Sequence, residues 1–148
     1  MYQKILVPID GSPASKRGLT EAIRLAQHHK ARLRLIHVVD VFIVTPTFES
    51  GRYVDDIQQS FREDGRRLLK NAEALVRKHG LTVDSVMFEI AGGRAAEIIV
   101  AQAKKWRADI IVIGTHGRRG VRRLVMGSDA EEVVRTSPVP VLLVRPKR

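Results

Sequence analysis

"ILVPIDGSP", residues 5–13, is the stretch on which the fold turns. Five apolar residues in succession describe a strand buried on both faces. The run stops at Asp10-Gly11, and Ser12-Pro13 then supplies an N-cap residue followed by proline at the first helical position. Leu19, Ala22, Ile23 and Ala26 recur at helical spacing, which predicts a helix over 13–29. A doubly buried strand that leads directly into an amphipathic helix belongs to the α/β class, where helices cover both faces of a parallel sheet.

The rest of the chain repeats this alternation. "RLRLIHVVD" (32–40) is a second strand, and "VFIVTPTFESGR" (41–52), with Pro and Gly but no period, is expected to be a long loop. Ile57, Phe61, Leu68, Ala72, Leu75 and Val76 mark the longest helix, which stops at Gly80 with Lys78 and His79 at its negative end. In "TVDSVMFEI" (82–90) Val86, Phe88 and Ile90 alternate with other residues, as in an edge strand with one wet face. Ala95, Ile98, Ile99, Ala103 and Trp106 form the inward stripe of a third helix, and "DIIVIG" (109–114) is a central strand ending on glycine. Ala130, Val133 and Val134 point a short final helix inward, and the prolines of "PVPVLLVRP" (138–146) confine the last strand to an edge. Residues 1–148 therefore read as one domain, a Rossmann-like five-stranded parallel sheet of order 3-2-1-4-5. In such a sheet the connections diverge to opposite faces between strands one and four, leaving a crevice at their carboxyl ends for a ligand.

Composition narrows the function classes. The chain has no cysteine, which excludes disulfides, thiol catalysis and Cys-ligated zinc. No apolar run approaches the roughly 20 residues of a membrane span, and Asp10-Gly11 interrupts the amino-terminal apolar stretch, so a cytoplasmic protein is expected. The net charge of +10 is uneven, with +3 on residues 1–90 and +7 on residues 91–148. A field of that sign favours polyanions, nucleotide or nucleic acid alike.

The basic half contains "GTHGRRGVRRLVMGSDAEE" (114–132), which follows the fourth strand. A phosphate at Gly127-Ser128 would meet helix N–H groups and a favourable dipole, while Arg118, Arg119, Arg122 and Arg123 add permanent charge. The alternative is that Ser128 and Glu131 form a capping box that satisfies the helix's own donors. His116 either touches a phosphate or faces solvent, His37 is a packed sheet residue, and Asp10 stands beside the crevice at the end of strand one. Neither G-x-x-x-x-G-K-[ST] nor G-x-G-x-x-G occurs, which excludes P-loop NTPases and dinucleotide-binding Rossmann domains.

Gly114, Gly117, Gly127 and Ser128 are spaced as G-x2-G-x9-G-[ST], and "KILVPIDGS", "IHVVD", "ADIIVIGTHGRRG" and "SPVPVLLVR" occur in order along nearly the whole chain. In these features the chain resembles the ATP-binding branch of the universal stress protein family. That resemblance implies ATP across strands one and four. The backbone around Pro8–Asp10 and Val38 would hold adenine, Ile113 would wall the base, and Asp10 and Gly114 would flank the ribose. Gly117, Gly127 and Ser128 would hold the phosphates, with His116 and Arg118 beside them. Asp129 and Ala130 depart from the Val and Thr/Ser that ATP-binding members carry after Gly-Ser. The Asp129 carboxylate either opposes the phosphates or helps to hold a Mg2+ ion carried with the nucleotide.

No triad, carboxylate pair or metal cluster is apparent, so at most slow ATP hydrolysis is expected of a nucleotide-responsive regulatory module. The alternatives are a basic nucleic-acid-binding protein, disfavoured because aromatic residues are only 5% of the chain, and a nucleotide-free stress protein acting through protein contacts. A homodimer through residues 141–145 follows from the long apolar edge strand.

Overall fold

A computed structural model describes residues 1–41, 51–116 and 126–147. The elements run β1 (Lys4–Pro8), α1 (Pro13–His29), β2 (Arg32–Asp40), α2 (Gly51–Lys78), β3 (Val83–Ile90), α3 (Ala95–Trp106), β4 (Ile110–Gly114), α4 (Ser128–Thr136) and β5 (Val141–Val144). All strand pairs are parallel, in the expected order β3-β2-β1-β4-β5.

The uninterrupted apolar run of β1 serves two cores. Ile5, Val7 and Ile9 face α1 and α2, meeting Leu19, Ala22, Ile23, Leu69, Ala72 and Val76. Leu6 faces the other way with Ile36, Ile111 and Ile113, and α3 and α4 cover them through Ala96, Ile99, Ala103, Ala130 and Val133. Period-two alternation of side chains across the pleat assigns successive residues of one strand to opposite layers. The helix at 13–29 is observed as predicted, with Ser12 as N-cap accepting from the Ser15 N–H.

Three local expectations need correction. Gly51 and Arg52, taken as loop, belong to α2, because buried Val54 adds a turn ahead of the apolar stripe and Gln58 bonds the Val41 carbonyl. The remainder of that expected loop, 42–50, lies outside the described residues. Ile57, Leu75 and Val134 were placed inward but are exposed, at 41%, 41% and 43%. Leucine and valine at the rim of an amphipathic stripe obey the helical period without reaching the core. Finally, β3 shows no clean wet face: Val83 and Met87 pack against the α1/α2 core and Phe88 against the other.

Two helix ends are strained. α2 is followed by Gly80 at φ 74°, the favoured residue for a left-handed helix cap, but α1 and α3 end on Lys30 (φ 55°) and Arg107 (φ 56°). The left-handed region costs a residue with a β-carbon about 1–2 kcal/mol. That exceeds the ~0.3–1 kcal/mol a cation gains from the helix dipole.

α2 lies close on the sheet because of a glycine. A β-carbon at Gly65 would come within 2.8 Å of His37 Cδ2 and 3.0 Å of Met87 Sδ. His37 is buried, and its Nδ1–H donates to the Ile9 carbonyl at 2.8 Å, so its ring cannot retreat without breaking that bond. Gly65→Ala would gain ~1 kcal/mol of helix propensity. It would also overpack a fixed ring at a cost of about 1–3 kcal/mol. A net loss is therefore expected, seen as a lower urea midpoint with an unchanged slope.

Candidate functional site

The site is assembled at the carboxyl end of the sheet, where β1 stops short of its neighbour. The last β1–β2 partners are Pro8 and Ile36, whereas β2 continues to Asp40. Along β2, Arg32 donates its N–H toward β1 and Ile36 accepts from Ile9 there, while Leu33 donates to the β3 side. Backbone groups alternate sides in a strand, so Val38 directs its N–H and C=O past the end of β1 into the crevice. The β1–β2 register ends at Pro8 and Ile36, two residues before Val38. The Val38 side chain packs into the α3/α4 core, as does Ile113.

After β1 the chain makes a turn that knits itself together. Asp10 Oδ1 accepts from the Ser12 N–H at 2.8 Å, Gly11 takes φ 81°, and the Asp10 N–H donates to Ser15 Oγ at 3.1 Å. Ser12 acts in two directions. Its Oγ accepts from the Ser15 N–H at 3.2 Å and donates to the His116 carbonyl at 3.2 Å, which bridges the loops after β1 and β4. The sequence signal for Ser12 was only that of an N-cap; its second role required knowing that β1 and β4 are neighbours.

Gly114 owes its lack of a side chain to packing. A β-carbon there would lie 2.6 Å from the Ala14 carbonyl carbon and 2.8 Å from the Ser15 nitrogen, so the first turn of α1 rests directly on the end of β4. Thr115, buried, donates its N–H to Val144 and accepts at its carbonyl from the Gly127 N–H. The first bond ties β4 to β5 and the second brings the start of α4 to the end of β4. Thr115 Oγ1 lies 2.9 Å from His116 Nδ1. His116 Nε2 is buried with no hydrogen-bond partner among the described residues.

The capping-box alternative is not what forms. Gly127 is the N-cap of α4, no side-chain cap bond is made there among the described residues, and Ser128 is already the first helical residue. Gly127 takes φ −60° and ψ 150°, a conformation open to any residue, so its backbone geometry does not call for glycine. What glycine leaves is a bare helix terminus with a partial positive charge. Asp129 is exposed, and its Oδ1 accepts from the Ala96 N–H at 3.4 Å, at the start of α3, whose own N-cap Arg94 provides no side-chain bond. The carboxylate thus serves the neighbouring helix, and Arg94 pairs with Glu132 of α4 at 3.3 Å across the same joint.

The structure therefore brings Pro8, Asp10, Val38, Gly114, His116, Gly127 and Ser128 to one end of the sheet, with Ile113 in the core beneath. Gly117, Arg118 and the other loop arginines lie outside the described residues. Trp106, expected in the core, is half-buried against the α3/α4 layer, with the Arg34 guanidinium 4.7 Å from its ring centre. No described helix is long and apolar enough to cross a membrane.

Comparison with known proteins agrees with this architecture. The model of the Universal stress protein family matches residues 1–145. A universal stress protein of Methanocaldococcus jannaschii is 35% identical over 151 residues, spanning 100% of this chain and 85% of the relative. The universal stress protein UspA from Lactobacillus plantarum has the same fold at a TM-score of 0.84 and 25% identity, over 97% of this chain and 98% of that one. A family protein from Arabidopsis thaliana, solved with AMP bound, shares the fold at a TM-score of 0.72 and 19% identity, over 98% of this chain and 92% of its own.

The contact at Gly114 is rigid, because backbone opposes it on the α1 side. Gly114→Ala should destabilise the protein by about 1–3 kcal/mol, measured by thermal or urea unfolding. Gly80→Ala, with nothing within 4 Å, should cost only the strain of its positive φ.

Proposed function

Because the chain belongs to the universal stress protein family, we propose that it binds an adenine nucleotide, ATP, in the crevice between β1 and β4 and acts as a nucleotide-responsive regulatory module. The observation that carries this reading is the amino terminus of α4, which has Gly127 as N-cap and no side-chain cap bond among the described residues, and which is tied by the Gly127 N–H to the end of β4. A helix end with glycine as N-cap offers N–H donors and positive potential to a phosphate.

The other half of the ligand has a matching surface. Adenine presents a donor and an acceptor on one edge, and Val38 offers a backbone N–H and C=O toward the crevice. In this arrangement Pro8 and Ile113 border the base, and Asp10 and Gly114 border the ribose. Gly127 and Ser128 meet the phosphates, with Gly117 and Arg118 contributed by the following loop. His116 Nε2, buried and unpartnered among the described residues, becomes a ligand contact. The AMP-bound relative from Arabidopsis thaliana is compatible with a nucleotide of this class.

Magnesium would arrive on the phosphates, since no three metal-ligating side chains converge among the described residues. Asp129, whose Oδ1 reaches the start of α3, is oriented for that joint more than for a cation. The carboxylate nearest the α4 terminus, Asp129, is directed to the Ala96 N–H at the start of α3, which supports at most slow turnover. The protein is further proposed to be cytoplasmic and to form a homodimer through β5. Along β5, Pro140 and Val144 accept from β4, so Val141 and Leu143 direct their backbone groups to the open edge, beside exposed Leu142.

Gly127→Val should abolish ATP binding in calorimetry while leaving the melting temperature near that of the parent. Unchanged affinity in a folded variant would remove the site. Leu143→Pro removes the central donor of the open edge, and sedimentation at micromolar concentration should then show a monomer where the parent is dimeric.

A further inference from the structure

All strands are parallel, so the carboxyl ends of α1, α2 and α3 gather with the starts of β1 and β2 at the pole opposite the crevice. Contacts stitch this pole into one surface. A cleft of about 330 Å³ runs between Lys30, after α1, and His79 and Thr82, after α2. The Arg32 N–H donates to the Gln3 carbonyl at 2.9 Å, and the Lys4 ammonium donates to the Trp106 carbonyl, at the end of α3, at 3.1 Å.

The charge on this surface is one-sided. Lys30, Arg32, Lys78, Lys104, Lys105 and Arg107 are exposed, and none of the six forms an ion pair among the described residues. The nearby carboxylates are already engaged. Asp84 holds Arg34 at 2.7 Å, Glu73 holds Arg77 at 2.8 Å, and Asp109 accepts from the Gln3 and Lys4 N–H groups. Two of the six cations, Lys30 and Arg107, occupy left-handed helix caps where glycine would be unstrained. The strain there exceeds what the helix dipole returns, so dipole compensation alone does not account for those side chains.

We propose that this basic pole is a docking surface for the phosphate backbone of duplex nucleic acid, engaged without regard to base sequence. Spread point charges suit a phosphate ridge. Single strands would need stacking rings, but Trp106 is covered by Arg34 and Lys4, and Tyr2 meets His29 at 5.3 Å. A folded protein or a membrane surface would need an apolar centre, and the large apolar side chains exposed near these ends are Met1 and Leu75. The scarcity of aromatic residues that disfavoured nucleic acid from sequence thus counts against single strands only. The surface lies at the pole away from the carboxyl end of β4, after which the Arg-rich segment follows in sequence.

The test is fluorescence anisotropy of the full chain with a labelled duplex of roughly 20 base pairs at several salt concentrations. The parent should bind at about 50 mM salt, with affinity falling linearly on logarithmic axes. Lys30→Gly combined with Arg107→Gly should melt at or above the parent temperature, because glycine relieves the strained caps. It should bind the duplex about tenfold more weakly, with the salt slope reduced by roughly 0.9 for each cation removed. Arg118→Ser with Arg119→Ser, in the loop, should bind as the parent does. The proposal fails if the parent does not bind the duplex at low salt or if the glycine variant keeps the parent's slope. Loss of binding in the loop variant, or binding to phosphatidylserine vesicles in place of the duplex, would equally overturn it.

Discussion

Position 114 holds the structure together by what it lacks. The backbone of Ala14 and Ser15 approaches so closely that a β-carbon there would stand 2.6 Å from a carbonyl carbon. That contact seats the first turn of α1 on the end of β4 and brings the loops after β1 and β4 within reach of the Ser12 hydroxyl. From the same strand end, Thr115 takes hold of both β5 and Gly127. The crevice is therefore defined by backbone packing between the ends of β1 and β4 and the start of α1. Gly114 and Gly127 look alike in the sequence, yet the first is demanded by a neighbouring helix and the second is not demanded by its own conformation.

A parallel sheet also sorts chemistry by pole. Strand carboxyl ends and helix amino ends share one end of the molecule, and helix carboxyl ends share the other. At the first end lie the N–H groups at the start of α4 and the edge of β2 at Val38, beyond the last partner that β1 offers it. At the second, lysines and arginines collect where helix dipoles are negative, and unpaired cations remain after the local carboxylates are used. Net charge says nothing of this division. The excess counted on residues 91–148 combines arginines of the segment that follows β4 in sequence with Lys104, Lys105 and Arg107 at the pole opposite the crevice.

Much of the fold was legible because local periodicity and burial agree in a doubly covered parallel sheet. "ILVPI" and "DIIVIG" read as central strands from their unbroken apolar runs, Ser12-Pro13 marked the start of α1, and alternating elements with those two strands at the centre led to the order 3-2-1-4-5. Spacing of Gly114, Gly117, Gly127 and Ser128 pointed to the crevice and to a family, since a turn followed by a helix start is a local property. Only the tertiary structure decided which side chains those local patterns serve. Gly65 accommodates His37 from another element, Ser12 reaches the His116 carbonyl 104 residues away, and Asp129 turns to the start of α3. The capping box written in Ser128 and Glu131 gave way to a cap at Gly127, whose N–H is held by the Thr115 carbonyl. The physical reason is common to all: periodicity records which face of an element is buried, whereas a hydrogen bond or a close contact depends on what another part of the chain brings against that face.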